Sequence, residues 1–188
     1  MANSVLETAA TGTAVGITVR AVDPDTGAGV TYRLTSDAGG RFAIDTVTGV
    51  VSTAAALDHE AAASHAITVL ATSSDGSTSS QTFTIAVTDA NEAPVFAVPS
   101  RQVAVQENTL ASVTLLTSTA TDGDTGDTRT HSLSGADAAL FNINAATGAV
   151  TFKGSSNLEM PLAASGTSPT SFNGVATDAA GLTDLHAG

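Results

Sequence analysis

The chain has 188 residues, of which 42% are hydrophobic and only 13% charged, so it can bury apolar cores and is not kept unfolded by charge. Its 18 acidic residues against 6 basic ones give a formal net charge of −12, which argues against nucleic acids and anionic membrane surfaces as partners. Cysteine is absent, which excludes disulfides and thiolate metal sites. No secretory signal and no apolar stretch of about 20 residues is visible, so no transmembrane segment is predicted.

Short β-strands follow one another from the N-terminus onward. Apolar residues alternate with more polar ones around residues 17–22, and the same period of two recurs at residues 66–70 and 82–87. Turn sequences such as Ala38-Gly39-Gly40 and Ser74-Asp75-Gly76 separate these segments. About seven such strands in a unit of about 100 residues predict an antiparallel β-sandwich of the immunoglobulin-like type.

The sequence repeats itself once. Residues 42–45 (Phe-Ala-Ile-Asp) recur at 141–144 (Phe-Asn-Ile-Asn), a spacing of 141 − 42 = 99, and Asp23-Pro24-Asp25 recurs as Asp122-Gly123-Asp124 at the same spacing. We therefore predict an all-β chain of two tandem Greek-key sandwiches. The first covers residues 1–92 with a truncated N-terminal strand. The second covers residues 93–188, lacks its last strand and is the less stable of the two.

The junction between the copies is the segment Asp89–Phe96, with the sequence DANEAPVF. It places an Asp, an Asn and a Glu close together, followed by a proline and an apolar Val-Phe pair. Calcium takes six to eight oxygen ligands from carboxylates, amides, carbonyls and water. The segment is therefore typical of a short, stiff linker whose oxygen atoms bind a hard cation.

These motifs together resemble the cadherin repeat, in particular the cadherin-like repeats of large bacterial surface proteins and secreted proteins of the repeats-in-toxin type. The resemblance covers nearly the whole chain, and it implies that calcium fixes the two sandwiches end to end through the linker. Asp89 lies beside the implied ligands as a less certain one, and His59 is expected to point away from them. The calcium ligands that the resemblance implies are Glu7, Asp58 and Glu60 in the first repeat, Ala90, Asn91 and Glu92 in the linker, and Asp122, Asp124 and Asp178 in the second repeat.

The same resemblance implies a non-enzymatic module of cell adhesion in a large exported protein, at the cell surface or outside the cell. Its partners would be calcium, neighbouring repeats of the chain, and either the same protein on another cell or a surface polysaccharide. Two alternatives are a passive surface spacer and a carbohydrate-binding accessory module of a secreted enzyme. Catalysis is disfavoured because no Gly-x-Ser-x-Gly elbow and no pair of histidines at metal-site spacing is present. Asp75 and Asp127 are assigned to turns.

Overall fold

The computed structural model describes residues 3–24, 29–98, 100, 103, 109–154 and 171–187, so Asp25 of the first Asp-x-Asp motif lies outside the described residues. The chain divides into two compact units, Met1–Ala90 and Asn91–Gly188. The predicted all-β class is confirmed: over the described ranges the helical content is a single 3-10 turn, Ala138–Leu140. In those ranges no helix has the length and apolarity needed to cross a lipid bilayer.

The first unit is a sandwich of two sheets. One sheet has the strand order β1-β7-β6-β3 and the other the order β2-β5-β4. β1 runs parallel to β7, whereas the other pairs are antiparallel. Its strands are β1 (Ser4–Leu6), β2 (Ala14–Thr18), β3 (Val30–Ser36), β4 (Phe42–Ile44), β5 (Val50–Thr53), β6 (Ser64–Ser73) and β7 (Thr78–Thr88).

Alternating residues of these strands face a single apolar core. On β6, Ile67, Val69 and Ala71 are buried, while the residues between them face outward. Val15 of β2, Val51 of β5 and further residues of both sheets complete the same cluster. Burying one such side chain contributes about 1.5–3 kcal/mol. The period of two in the sequence therefore reports which face of each strand meets the opposite sheet.

The second unit is also built from β-strands, which are shorter than those of the first. Its described sheets have the strand orders β11-β14-β15, β12-β13-β9 and β10-β8. The strands are β8 (Val95–Phe96), β9 (Leu116–Thr117), β10 (Ala120–Thr121), β11 (Thr130–Ser134), β12 (Phe141–Ile143), β13 (Ala149–Phe152), β14 (Asn173–Thr177) and β15 (Thr183–Ala187).

The prediction that the second repeat lacks its last strand is wrong. β15 pairs antiparallel with β14, as β7 pairs with β6 in the first unit, although β15 has 5 residues and β7 has 11. A tight turn allows the short strand β15 to pair with β14. In this turn the Asp178 carboxylate accepts the backbone N–H groups of Gly181 and Leu182 at 2.6 and 2.7 Å. The chain therefore reverses within a few residues and still adds a strand to the sheet.

One turn shows that the two units share backbone geometry at the 99-residue spacing. In the first unit the Asp45 carboxylate accepts the N–H groups of residues 47 and 48, and in the second the Asn144 amide oxygen accepts those of residues 146 and 147. The hydrogen bonds from Thr48 hold the pKa of Asp45 below its ordinary value. Each turn ends on a glycine with positive φ, 69° at Gly49 and 70° at Gly148.

The interiors of the units differ. The core of the first unit is one continuous cluster of buried side chains. The described core of the second unit consists of two separate clusters, one around Phe96, Ala120 and Ala176 and the other around Phe141, Val150 and Phe152. The part of the second unit that the structure describes thus has less contiguous apolar packing than the first unit.

We predict that Gly49→Ala destabilises the first unit more than Gly76→Ala does. Both glycines have positive φ, so each substitution incurs a backbone cost of about 1–2 kcal/mol. A Cβ at Gly49 would also clash with the backbone carbonyl of Val19, whereas a Cβ at Gly76 has nothing within 4 Å. Urea unfolding of both variants checks this, and equal losses of stability would contradict it.

We also predict that amide hydrogens of β6 and β7 exchange more slowly than those of β14 and β15. The first pair is longer and covers a continuous core, so its opening exposes more apolar surface. Hydrogen exchange read by NMR or mass spectrometry measures the difference. Comparable protection of the two hairpins would show that the divided core carries no stability cost.

Candidate metal centre

Three predicted ligands of the first repeat come together at one end of the first unit. Because β1 and β7 are parallel, with Leu6 opposite Thr88, both strands end at the same edge, and Glu7 follows β1 directly. Asp58 and Glu60 lie in the segment between β5 and β6. One carboxylate oxygen from each of Glu7, Asp58 and Glu60 lies within 4.8 Å of the other two.

Glu7 is the buried member of this group, with only 6% of its surface exposed. One carboxylate oxygen accepts the backbone N–H of His59 at 2.7 Å, and the other accepts the N–H of Ala90 at 2.7 Å. Glu7 therefore fixes the loop that carries Asp58 and Glu60, and it also fixes the start of the linker. Ala90, a predicted ligand through its carbonyl, is held beside the acidic group by its own N–H.

His59 and Asp89 lie at the same end of the unit. A ring nitrogen of His59 and carboxylate oxygens of Glu60 and Asp89 lie within 4.8 Å of one another, so His59 does not point away as expected. The reason is local: Asp58 accepts the N–H of Ala61 at 2.7 Å in a turn, and side chains in a turn do not alternate as they do in a strand. Nδ1 of His59 donates to the carbonyl of Val87 at 2.8 Å, which raises the pKa of the imidazole.

The charges in this group repel one another. A hydrogen bond from its own backbone N–H lowers the pKa of Glu60, but burial and the like charges of Glu7 and Asp89 outweigh it, so the pKa of Glu60 is raised. A raised carboxyl pKa means that the ionised form is less stable in the folded protein than in solution. The group is therefore unfavourable while it has no cation to neutralise it.

The second unit carries a group of three aspartates. Carboxylate oxygens of Asp122, Asp124 and Asp127 lie within 4.8 Å of one another. Asp122 accepts the N–H of Asp124 at 3.2 Å through Oδ1, while its Oδ2 is buried with no hydrogen-bond partner among the described residues. Asp124 accepts the backbone N–H of Glu92 at 2.9 Å. The linker residue Glu92 is thus held by a predicted ligand of its own unit.

Asn91 and Asp178 form a separate pair in the second unit. The side-chain amide of Asn91 donates to Asp178 Oδ2 at 2.7 Å, and this bond, with those from Gly181 and Leu182, holds the pKa of Asp178 below its ordinary value. Among the described residues, the group formed by Asp122, Asp124 and Asp127 does not include Asp178. The Asp178 carboxylate instead closes the β14–β15 turn and orients Asn91.

These donors suit a hard divalent cation such as calcium, which binds carboxylate, amide and carbonyl oxygens. The buried, unpartnered Oδ2 of Asp122 supports this fit, because an ionised oxygen without a donor is costly to bury and is stabilised by a bound cation. In the first unit, a bound cation would likewise stabilise the clustered carboxylates of Glu7, Asp58 and Glu60.

Sequence reasoning missed two members of these groups. Asp127 was assigned to a turn, and the structure places it both in the turn and in the aspartate group, because the turn folds it back toward Asp124, whose carbonyl accepts its N–H at 3.2 Å. His59 was expected to point away from the implied ligands on either side of it. The signal available in the sequence was Asp58 itself, because an Asp side chain often bonds to a backbone N–H a few residues on and so starts a turn.

Comparisons with known proteins show what the chain is similar to. The cadherin domain family matches residues 2–88. Human Protocadherin-16 is 38% identical over 139 residues, which cover 71% of this chain but 4% of the relative. The chain therefore spans a small part of the curated relatives that it matches.

Solved structures extend the similarity beyond the first unit. The crystal structure of mouse Cadherin-23 EC22-24 superposes with a TM-score of 0.70 and 30% identity over 98% of this chain and 59% of that chain. Human Protocadherin-24 EC1-2 has the same fold, with a TM-score of 0.67 and 22% identity over 99% of this chain and 89% of that chain.

The predicted immunoglobulin-like sandwich fold is thereby confirmed. Cadherin-domain relatives are adhesion proteins of the cell surface and not enzymes, and their domains are generally calcium-binding. The β-sandwich architecture and the acidic groups thus accompany a match of the first unit, at residues 2–88, to the cadherin domain.

Proposed function

We propose that the chain is a calcium-dependent adhesion module in which calcium stiffens the connection between two tandem cadherin repeats, residues 1–92 and 93–188. The proposed ligands are Glu7, Asp58 and Glu60 of the first repeat, Ala90, Asn91 and Glu92 of the linker, and Asp122, Asp124 and Asp178 of the second. We keep Asp89 as a less certain ligand and propose Asp127 as a further one, because each lies close to proposed ligands of its own unit.

The observation that carries the proposal is the way the linker is held. Three consecutive linker residues each bond to an acidic residue of their own unit: Ala90 to Glu7, Asn91 to Asp178 and Glu92 to Asp124. A cation that binds these carboxylates therefore also restrains the linker backbone attached to them.

Electrostatics supplies the calcium dependence. The raised pKa of Glu60 and the buried, unpartnered oxygen of Asp122 are costs that a divalent cation removes. If calcium binds the ordered linker and not the disordered one, a higher calcium concentration shifts the linker toward its ordered state by mass action. The stiffness of the linker therefore depends on the calcium concentration. Extracellular modules of this kind bind calcium at about 10⁻⁴–10⁻³ M.

We propose a location outside the cell or at its surface, as part of a large exported protein of the bacterial cadherin-like type, since the DANEAPVF junction and the Asp-x-Asp motifs support that resemblance. Homophilic binding between copies on different cells is the proposed adhesive contact. A passive spacer is the second candidate, favoured by the absence of tryptophan and the low aromatic content of 4%, which leave few residues able to anchor a partner or to stack on sugars. Calcium-dependent self-association supports adhesion, whereas retention on insoluble polysaccharide supports a carbohydrate-binding module.

We predict opposite effects of Glu60→Gln without and with calcium. Without calcium at neutral pH the substitution removes repulsion from Glu7 and Asp89, so the unfolding midpoint rises. This gain disappears as the pH falls below the ordinary carboxyl pKa of 4.5, where Glu60 is protonated in both the folded and unfolded states. With calcium the same substitution removes a ligand, and we expect calcium affinity to fall at least several-fold.

The matched control is Asp75→Asn, which also removes one negative charge from the first unit. Asp75 precedes β7, whereas the Glu7 group lies at the other end of that strand, about 33 Å away at a rise of about 3.3 Å per residue. Asn at position 75 can still accept the hydrogen bond from the Ser77 N–H. Denaturant titration and calorimetry compare the two variants. If both change calcium affinity equally, net charge and not the Glu7 group attracts the ion.

We predict that calcium changes the small-angle scattering of the chain. With calcium the two repeats should sample a narrower range of arrangements than in excess chelator. For Asp124→Asn the same change should need a higher calcium concentration, because the substitution removes one ligand charge. Superimposable profiles with and without chelator would refute calcium stiffening, even if calorimetry still detects bound ions.

A further inference from the structure

The longest strand of the first unit has an edge that is only partly covered. β7 lies between β1 and β6, and it pairs with β6 over most of its length. On its other side β1 covers only Ala86–Thr88. Among the described residues, no strand pairs with β7 on this side between Thr78 and Ile85. We call residues 78–85 the open edge of β7, which spans about 23 Å at a rise of about 3.3 Å per residue.

The hydrogen bonds at the covered end show which backbone groups face the open edge. The N–H of Ala86 donates to the carbonyl of Asn3 beside β1, and the N–H of Val87 donates to the carbonyl of Ala63 on the β6 side, both at 2.9 Å. Successive residues of a strand point their N–H and C=O groups to opposite sides. The groups of every second residue therefore face the open edge, and all four of these residues are exposed: Thr78, Ser80, Thr82 and Thr84.

The other edges of the first unit carry features that discourage pairing with another chain. Such features are charged side chains, bulges and very short strands. β3 has Arg33 and a register shift between Leu34 and Ser36, β2 also has a register shift, and β1 and β4 have 3 residues each. The open edge of β7 has none of these features. Its register with β6 is constant, and residues 76–88 contain no charged residue and no proline.

Charge favours a second copy of this chain as the occupant of the open edge. The formal net charge of −12 makes two copies repel each other wherever their acidic surfaces meet. Along residues 76–88 neither copy brings a charge, so two copies can approach there without placing like charges in contact. A basic partner, in contrast, would gain no attraction from an uncharged edge.

We propose that the open edge of β7 pairs antiparallel with the same edge of a second copy, across a two-fold axis beside Gln81. This inference rests on the homophilic contact proposed above, and it names the surface that makes the contact. Pairing centred on residue 81 sets Thr78 opposite Thr84 and Ser80 opposite Thr82, so every edge-facing residue of each copy finds a partner. Both copies use the same surface, as a two-fold interface requires.

The side chains of the four edge-facing residues suit this self-pairing. All four carry a hydroxyl group and lie on the outer face of the sheet, opposite the face that buries Ile85 and Val87. Thr and Ser side chains that face each other across antiparallel strands stabilise the sheet. The first unit already contains such a pair, because Thr68 Oγ1 lies 3.0 Å from Thr82 Oγ1 across β6 and β7. The proposed contact repeats this chemistry between copies.

The test measures self-association of the full chain in saturating calcium by sedimentation equilibrium, and it compares Ser80→Pro with Ser80→Ala. Proline lacks the N–H that faces the open edge, and the bonds between β7 and β6 do not use that N–H. Alanine keeps it. Because the two-fold axis places each substitution twice in the dimer, we expect Ser80→Pro to raise the dissociation constant about tenfold or more and Ser80→Ala to change it much less.

A second pair of variants keeps every backbone group in place. Gln81→Glu sets two carboxylates opposite each other at the two-fold axis, where facing Cβ atoms are about 4.5–5.5 Å apart, so the dimer should weaken. The control, Ser36→Glu, adds the same charge at an exposed position on β3, which β6 separates from β7. We expect the control to associate nearly as the wild type does.

Amide hydrogen exchange read by NMR locates the contact. The amides of the four edge-facing residues should become protected as the protein concentration rises, whereas those of Ser79, Gln81 and Phe83 face β6 and should be protected at every concentration. Protection of the edge-facing amides that is independent of concentration would place a segment of the same chain on the edge and overturn the inference.

Two further outcomes separate this inference from the homophilic contact on which it rests. A dimer that tolerates both Ser80→Pro and Gln81→Glu would overturn the inference and leave homophilic binding to another surface. A wild-type chain that stays monomeric at every concentration would overturn both. Wild-type self-association in excess chelator separately measures the calcium dependence of the contact.

Discussion

The end of the first unit depends on the buried carboxylate of Glu7. It accepts two backbone N–H groups, from His59 and Ala90, which belong to segments far apart in the sequence. Hydrogen bonds to an ionised acceptor contribute more than neutral ones, so this residue orders the loop and the linker start together. The same carboxylate adds negative charge next to Glu60, whose pKa is raised. Glu7 therefore both orders the loop and the linker start and adds to the negative charge that a cation would neutralise.

Two units with the same backbone plan have interiors of different chemistry. The turns at Asp45–Gly49 and Asn144–Gly148 use equivalent hydrogen bonds, and both glycines approach a backbone carbonyl where no Cβ fits. The interiors around them diverge. The first unit has one apolar cluster, whereas the described residues of the second form two clusters and also bury Ser118, His131 and His186. Backbone constraints that only glycine satisfies leave less freedom than core positions, which accept different side chains when volume and hydrogen bonds are rebalanced.

Local patterns in the sequence were sufficient for the fold class but not for every element. The alternation at residues 66–70 and 82–87 predicted β6 and β7, because a half-buried strand requires that period. The last strand of the second unit was missed because β15 is short and its turn is closed by the Asp178 side chain. His59 was misplaced because the turn at Asp58 brings its ring close to the carboxylates of Glu60 and Asp89.

The sequence by itself determined the all-β architecture and the acidic residue types that suit a hard cation, because strand periodicity, turn residues and carboxylate chemistry are local properties. Only the tertiary structure decided which carboxylates meet. It placed Glu7 beside Asp58 through the parallel pairing of β1 with β7, grouped Asp127 with Asp122 and Asp124, and directed Asp178 to Asn91. It also buried two histidines against Phe96. Such groupings arise from strand order and packing between residues distant in the chain, which no local pattern encodes.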